Sequence, residues 1–582
     1  MFDKILIANR GEIAVRVIRA CREAGIEPVA VYEPADRDAP HARLAEAVEV
    51  LSYLDGDALI GAAAATAAQA VHPGYGYLAE NADFAEAVGR AGLVWVGPSP
   101  FAMRAAGDKL SARRLAQAAG VPVTPGYDGV DLSDDTLAAE AGRVGFPLLV
   151  KAAAGGGGRG MRRVDRPDAL PEALQAARRE AAAAFGDGRL YLERLLPAAR
   201  HVEVQILADA HGNAIHLGER DCSVQRRHQK IVEESPSPAV DDELRGRLGE
   251  AALAVARASE YTGAGTAEFL LAADGSWFFL ELNARLQVEH PVTEAVAGID
   301  LVRAQLEIAE GGRLALEPQD VRLRGHALEC RLYAEDPAVG FLPATGRLER
   351  FSIPAWPGLR ADCGAREGDE VGLRYDPLLA KLIAHAEDRD ACIDRMAAGL
   401  AETVVLGVAT NLGFLRWLVT HPAFRAGEVD TAFVEREWSP ALVPELPGDL
   451  RRAAERALAA RDSSAWYAFT PPAREQVVAS GRWVLHEGWQ FEVEADDQAA
   501  AEALPAAGSL EAPMPGAVLR VEVEPGQAVE AGRTLVVLEA MKMELAVAAP
   551  GPGTVAAVHV RPGELVSRGQ PLIAIEVEDA DG

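Results

Sequence analysis

Short apolar runs alternate with longer amphipathic stretches from the first residues onward. Lys4 to Ala8 reads as a core strand, Asn9-Arg10-Gly11 as a turn, about Glu12 to Ala24 as a helix and Pro28 to Tyr32 as a second strand. That alternation predicts an α/β unit built on a parallel sheet. The first turn lacks G-x-G-x-x-G, which excludes a dinucleotide-binding fold. Near residue 145 the texture changes. Phe146 to Ala152 predicts a strand, a glycine run follows, and Met161 to Val164 predicts the returning strand, after which β-rich segments alternate with helices to about residue 445. Farther on, Arg482–Leu485 and Trp489–Glu494 predict a hairpin around His486-Glu487-Gly488. Ala495 to Gly508, rich in Ala, Asp and Glu without an aromatic residue, reads as a flexible tether.

The last stretch repeats itself at a spacing of 37 residues. Val518, Val521 and Val523 match Val555, Val558 and Val560; Pro525-Gly526 matches Pro562-Gly563; Val529 and Gly532 match Val566 and Gly569; Leu535–Glu539 matches Leu572–Glu576. Each copy alone would leave an apolar face bare, so the pair is expected to close as a two-sheet β-sandwich. The segment joining the copies, Ala540-Met541-Lys542-Met543, then presents Lys542 on a tight hairpin away from the core.

Composition narrows the chemistry. The chain of 582 residues is long enough for three or four domains, and 49% apolar with 25% charged residues is the balance of a globular protein with real cores. A net charge of −29 argues against nucleic acid or an anionic membrane as partner, and means that any anion site must be built from local Lys and Arg clusters. Arg220 to Lys230 is one such basic stretch. Five scattered cysteines (Cys21, Cys222, Cys330, Cys363, Cys392) without a C-x-x-C pair fit a reducing compartment with free thiols. No apolar run approaches the ~20 residues of a membrane span. A core strand at the very start leaves no targeting segment, so a cytoplasmic location is expected.

Several constellations carry candidate chemistry. Lys151 precedes the loop Gly155-Gly156-Gly157-Gly158-Arg159-Gly160. The loop neither ends in GK[ST] nor leads into a helix, so it is no Walker A motif. A glycine loop between two strands instead suits a mobile flap whose backbone N–H groups approach phosphate oxygens. Lys109, ahead of a helix from Leu110 to Ala119, is a second candidate phosphate contact. If Glu281 to Glu289 is extended, Glu281, Asn283, Arg285, Gln287 and Glu289 share one face while Leu282, Ala284, Leu286 and Val288 face the core. Glu268, on the preceding strand returned by Asp274-Gly275, could oppose Glu281. Two carboxylates and an amide oxygen suit Mg²⁺. Arg285 could hold a small oxyanion, with Glu289 beside it as a base. His72-Pro73-Gly74-Tyr75-Gly76 reads equally well as a tight turn.

Glu539-Ala-Met-Lys-Met-Glu544 resembles the attachment site of biotinyl carrier domains; lipoyl domains share the fold but lack the flanking methionines. Residues 1 to about 445 resemble the biotin carboxylase family of the ATP-grasp superfamily. The motifs that match in order are Ile7–Ala14, His72–Asn81, Lys151 with its glycine loop, Glu219–Lys230 and Asn283–Glu294. One chain carrying both parts is similar to the α subunit of an acyl-CoA carboxylase. The resemblance implies an α/β N-terminal domain (1–110), an α+β ATP-grasp domain with a glycine-rich flap (111–330) and a carboxylase C-terminal domain (331–445). A shortened interaction region with a short β-hairpin and tether (446–508) and an all-β biotinyl sandwich (509–577) complete the layout. It further implies that ATP is bound by Lys109, Lys151, Gly155 to Gly158, Glu193, Leu196 and His201. Mg²⁺ or Mn²⁺ would be bound by Glu268, Glu281 and Asn283, and bicarbonate by Lys230, Arg285, Gln287 and Val288. Glu289 would deprotonate bicarbonate for attack on the γ-phosphate, and Arg331 would stabilise the biotin enolate, its charge and planar donors persisting at any relevant pH. Biotin would be covalently attached to Lys542 by a biotin protein ligase.

The departures matter as much. The stretch between the two matched parts is only ~65 residues, shorter than the β-barrel-bearing insert of methylcrotonyl- and propionyl-type α subunits and nearer the actinobacterial acyl-CoA carboxylase layout. No acyl-transferring domain is visible, so a separate carboxyltransferase β subunit is expected, in a hetero-oligomer, to complete carboxylation of an acetyl-, propionyl- or methylcrotonyl-CoA substrate. A carrier scaffold with an inactive ATP-grasp module, and a component of a pyruvate- or urea-type carboxylase, are the competing readings. The hairpin with Trp483, Trp489 and Phe491 is expected to expose its rings and dock the transferase, the alternative being that the rings pack back onto the body of residues 1–445.

Overall fold

The computed structural model describes residues 2–154, 161–459, 477–480, 483–493, 509–513, 516–540, 543–566 and 569–577. The N-terminal region forms a five-stranded parallel sheet in the order Glu46–Glu49, Glu27–Tyr32, Lys4–Ile7, Ala70–His72, Val94–Trp95. Its first helix, Gly11–Glu23, covers the sheet with Ile13, Val17 and Ile18. Two motifs far apart in sequence lock together here. Asn9 Nδ2 donates to the carbonyls of Pro73 and Tyr75, each at 2.7 Å, and Gly74 adopts φ +63°. A Cβ on Gly74 would stand 2.9 Å from Asn9 Nδ2. His72–Gly76 is thus a pinned turn, and it sends the Tyr75 hydroxyl back to Glu12.

The predicted strand pair around the glycine loop is present as Leu148–Ala152 and Arg162–Val164, antiparallel with Leu148 opposite Val164. With Gly126–Tyr127 and Leu190–Arg194 it makes a small four-stranded sheet backed by the helices Asp134–Val144 and Leu170–Phe185. Gly155 to Gly160 lie outside the described residues.

The body is an eight-stranded antiparallel sheet in the order Trp277–Asn283, Gly263–Leu271, Arg200–Ala208, Ala214–Arg226, Gln229–Ser235, His326–Tyr333, Leu378–Ala386, Leu359–Cys363. It runs without a break across residue 330, because Gln229–Ser235 pairs with His326–Tyr333 and that strand pairs with Leu378–Ala386. Alternation along Arg200–Ala208 sends Val202, Val204 and Ile206 into an apolar core against the helix Asp242–Ala258. The intervening Glu203 and Gln205 are just as buried, on the other face. A strand that buries polar residues on one face must satisfy them there, and that face holds the site.

The hairpin Trp483–His486 and Trp489–Glu492 forms, with both central turn residues at positive φ (Glu487 +51°, Gly488 +85°), as a type I′ turn requires. It is joined by a third strand, Val477–Ser480. Its rings are not free. Trp489 is 8% exposed and stacks on Trp438 with centroids 5.9 Å apart, while Trp483 and Phe491 pack half-buried against the same core. Gly413 lies directly beneath, where a Cβ would stand 2.2 Å from the Trp489 ring. The expected exposed docking hairpin is therefore corrected: the rings pack onto the apolar core that contains Phe414, Phe433 and Leu406.

Residues 509–577 form the sandwich that the repeat predicts. One sheet runs Ser509–Glu511, Pro571–Val577, Gly553–Val558, Ala528–Val529, and the other Met543–Ala548, Thr534–Ala540, Gly516–Val521, Leu565–Val566. Repeat-related pairs meet in its core: Val518 with Val555, Val523 with Val560, Val529 with Val566 and Leu535 with Leu572 are all buried in one cluster. The joining hairpin pairs Ala540 with Met543. Lys542 lies outside the described residues.

Candidate active site

The site grows from three neighbouring strands and the turn that follows them. Glu268 stands opposite Glu281 in register, as the sequence suggested, and a register shift follows at Phe269. Such irregularities re-aim side chains. The extended stretch stops at Asn283, however, and residues 284–289 turn into the helix His290–Ala297. The period-two reading of Glu281–Glu289 is corrected accordingly. Leu282, Ala284 and Leu286 are buried, but Val288 is only half-buried, and Glu289 occupies the position before the helix instead of a strand face.

Lys230 is the centre. Its Nζ donates to Glu203 Oε2 at 2.5 Å, Glu289 Oε1 at 2.7 Å and Glu268 Oε1 at 2.9 Å. Glu268 also accepts from Asn283 Nδ2 at 2.8 Å and lies 2.7 Å from His201 Nε2. Arg220, fully buried, donates to Glu203 at 2.6 Å. Arg331 donates to Glu289 Oε2 at 2.9 Å. Arg285 donates to Gln287 Oε1 at 2.7 Å and reaches Glu80 at 3.3 Å. Burial alone would raise the Glu289 carboxyl, but Lys230, Arg331 and Arg220 hold it well below the usual range, so it stands ionised. Glu268 is likewise lowered against its burial by Lys230 and His201, whereas burial and then the neighbouring Glu289 raise Glu203. An ionised, buried carboxylate beside cationic donors can accept a proton from a bound acid and hold small anions next to it.

A second group lies alongside. Lys109 Nζ is 3.2 Å from Glu281 Oε2, which raises the Lys109 pKa. Lys151 pairs with Glu193, and Arg113 reaches the same carboxylate at 3.1 Å. Leu196, half-buried, sits on the link between the small sheet and the body. Glu268 and Glu281, opposite each other, would with the Asn283 amide oxygen offer an all-oxygen donor set that suits Mg²⁺ or Mn²⁺, although Asn283 here meets Glu268 through its Nδ2. The structure therefore gathers Lys230, His201, Glu268, Asn283, Arg285, Gln287, Glu289 and Arg331 into one contact network, with Lys109–Glu281 and Lys151–Glu193 as adjoining pairs.

Sequence reasoning missed several residues. Glu203 completes the Lys230 cluster, with Arg220 of the basic stretch behind it; the polar alternation in Val202–Ile206 was the available signal. Lys381, fully buried, donates to the Val288 carbonyl at 2.7 Å and pairs with Glu12 at 3.1 Å, so it clamps the 285–289 turn from behind. His228 stands at φ +65° in the turn between Ala214–Arg226 and Gln229–Ser235. Nothing in a single sequence marks Lys381, whereas His228 lies within the basic stretch Arg220 to Lys230.

Four known families match successive parts of the chain. Residues 1–103 match the biotin carboxylase N-terminal domain, 108–317 the ATP-binding domain of the carbamoyl-phosphate synthase L chain, 329–436 the biotin carboxylase C-terminal domain and 508–575 the domain of biotin-requiring enzymes. The chain is 48% identical over 441 residues to the biotin carboxylase of Nostoc, covering 75% of this chain and 99% of that one. It belongs to the biotin carboxylase family. The biotin carboxylase domain of 2-oxoglutarate carboxylase from Hydrogenobacter thermophilus, solved with MgADP, ADP and bicarbonate, superposes with a TM-score of 0.75 at 40% identity. That match covers 76% of this chain and all of that one. The mitochondrial methylcrotonoyl-CoA carboxylase α subunit of Dictyostelium discoideum is 47% identical over 452 residues, 76% of this chain and 65% of its own length. The match spans 65%, 60% and 60% of the length of three methylcrotonoyl-CoA carboxylase α subunits, and such α subunits imply a further subunit. Among the described residues no helix is long and apolar enough to cross a membrane.

Proposed function

We propose that the chain catalyses ATP-dependent carboxylation of a biotin attached to its own Lys542, the first half-reaction of an acyl-CoA carboxylase. The observation that carries this is Lys230 bridging Glu203, Glu268 and Glu289, with Arg331 on the far oxygen of Glu289. In this reading Lys230, Arg285, Gln287 and Val288 hold bicarbonate, and Glu289 takes its proton as it attacks the γ-phosphate. Lys109, Lys151, Glu193, Leu196, His201 and the glycine loop hold ATP. Glu268, Glu281 and Asn283 would hold Mg²⁺ or Mn²⁺, which when bound neutralises phosphate charge. Biotin, when bound, supplies the nitrogen that receives the carboxyl group, and Arg331 offers it a fixed cation.

The carrier domain supports action on the chain's own biotin. A cavity of about 150 Å³ lies between Pro343, Tyr375 and Pro377 of the carboxylase and Gly516, Glu539 and Leu565 of the carrier. The carboxylase side of this cavity leads directly into Leu378–Ala386, the strand paired with the one that carries Arg331. Glu539 stands on the strand that leads to the attachment hairpin. A carboxyltransferase β subunit would complete the reaction on an acyl-CoA, and the free cysteines support a reducing compartment such as the cytoplasm. The test is ADP release by the full chain with Mg²⁺ and free biotin, with and without bicarbonate. Bicarbonate-dependent release is expected; ATP cleavage indifferent to bicarbonate would overturn the reading. Copurifying the partner and assaying acetyl-, propionyl- and methylcrotonyl-CoA then identifies the substrate.

A further inference from the structure

Two fully buried carboxylates next to the site have no part in the mechanism above. Glu233 and Glu329 lie directly opposite each other where Gln229–Ser235 pairs with His326–Tyr333, and both are 0% exposed. Burying a carboxylate is costly unless something is gained from its charge. Neither oxygen of Glu329 has a hydrogen-bond partner among the described residues, and burial pushes its carboxyl well above the usual range, against the pull of Lys381 and Arg331. Glu329 is the neutral member. Glu233 faces charge: Arg331 Nη2 lies 2.5 Å from its Oε1, while the same nitrogen lies 2.9 Å from Glu289 Oε2. Only the Glu289 contact has the angles of a hydrogen bond.

The guanidinium is therefore suspended between two carboxylates of different fates. Glu289 loses its charge when it takes the proton of bicarbonate, so its hold on Arg331 weakens at that step. Glu233 keeps a counter-charge on the other side. With Glu233 as counter-charge at 2.5 Å, the guanidinium is held in place on that side. Arg331 Nε has no hydrogen-bond partner among the described residues. Burial first, and then Glu289, push the Glu233 carboxyl up to about 7 against the pull of Arg331 and Lys230. Neutralising Glu289 removes one of those upward pushes and so favours the charged form of Glu233.

We propose that Glu233 is a positioning residue that keeps Arg331 seated in the site after Glu289 has been protonated, coupling ATP cleavage to carboxylation of biotin. The inference rests on the function proposed above. Its test compares ADP released with free biotin carboxylated, by the full chain, for wild type, Glu233→Gln and Glu233→Asp. Displacing a functional group by about 1 Å costs up to about a hundredfold. Glu233→Gln is therefore expected to lower biotin carboxylation by about that factor, and ATP cleavage by much less, so that the ratio of ADP to carboxylated biotin rises. Glu233→Asp, with the charge kept and the reach shortened, should give an intermediate ratio. A ratio equal to wild type in both variants, whatever happens to the two rates or to thermal stability, would overturn the proposal, since a merely structural residue lowers both rates together. If Glu233→Gln does not fold, the ratio in Glu233→Asp decides alone. A wild-type chain without bicarbonate-dependent ATP cleavage would instead defeat the functional reading itself.

Discussion

The catalytic sheet and the carrier sandwich are both β structures, yet they use their interiors in opposite ways. The sheet buries Glu203, Arg220, Glu233, Glu329 and Arg331, and Glu289 is buried against them on the turn before His290–Ala297. Among the described residues of the carrier, no polar or charged side chain is buried, and the core is Val, Leu, Ile and Ala throughout. Buried ion pairs contribute little net stability compared with well-packed apolar residues. The sheet accepts that cost because its chemistry happens inside it. The carrier needs only a stiff frame for a group borne at its tip, so aliphatic packing suffices. The same contrast answers the acidic net charge: each cation that would face a substrate anion is held by carboxylates, and the anion site is local.

The sharpest way to break this division is at the tip. Lys542→Arg keeps the charge but removes the primary amine that an amide-forming ligase requires. Streptavidin blotting of this variant should be blank, while carboxylation of free biotin continues. A retained signal would place the attachment elsewhere. Within the sheet, Glu289→Gln preserves shape but cannot accept a proton, and bicarbonate-dependent ATP cleavage should fall by about 10²- to 10⁴-fold. ATP affinity by calorimetry should stay close to wild type. Turnover within a few-fold of wild type would make Glu289 structural.

These two outcomes test what was legible in the sequence. The carrier sandwich was legible, because a 37-residue repeat is a local pattern. Glu268 opposite Glu281 was also legible, through a short hairpin that fixes register. The 284–289 turn was not, since alternation of residue types continues past the point where the backbone stops being extended. Nor were Glu233, Glu329 and Lys381, which reach the site across strand pairs that no local pattern announces. The aromatic hairpin failed for a related reason: exposure of Trp489 depends on Gly413, 76 positions earlier, leaving room for its ring.

Trp489 therefore supplies a test on the packing side of the comparison. Trp489→Ala opens a cavity beside Trp438 in the carboxylase C-terminal core. Large-to-small changes of this kind cost about 3–5 kcal/mol. A lowered midpoint for thermal unfolding is expected, with copurification of a partner subunit unchanged once the variant is folded. Loss of the partner at unaltered stability would return the hairpin to an interface.

The smallest expected effect lies where the two regions meet. Leu565 is a carrier residue, 57% exposed, and it lines the cavity facing Tyr375. It touches none of the charged groups of the sheet, and surface substitutions of this kind usually shift stability by less than about 0.5 kcal/mol. A large apolar side chain at the edge of a cavity between two bodies contributes by burial, and a carboxylate there would have to be desolvated each time the carrier docks. Leu565→Asp is thus expected to leave free-biotin carboxylation and the thermal midpoint unchanged. Carboxylation of the attached biotin should slow several-fold, the size of one lost apolar contact. Measuring both substrates on the same preparation separates docking from catalysis, because free biotin does not need the carrier. Equal rates for attached biotin in wild type and Leu565→Asp would show that the carrier presents its lysine to the sheet through a different face.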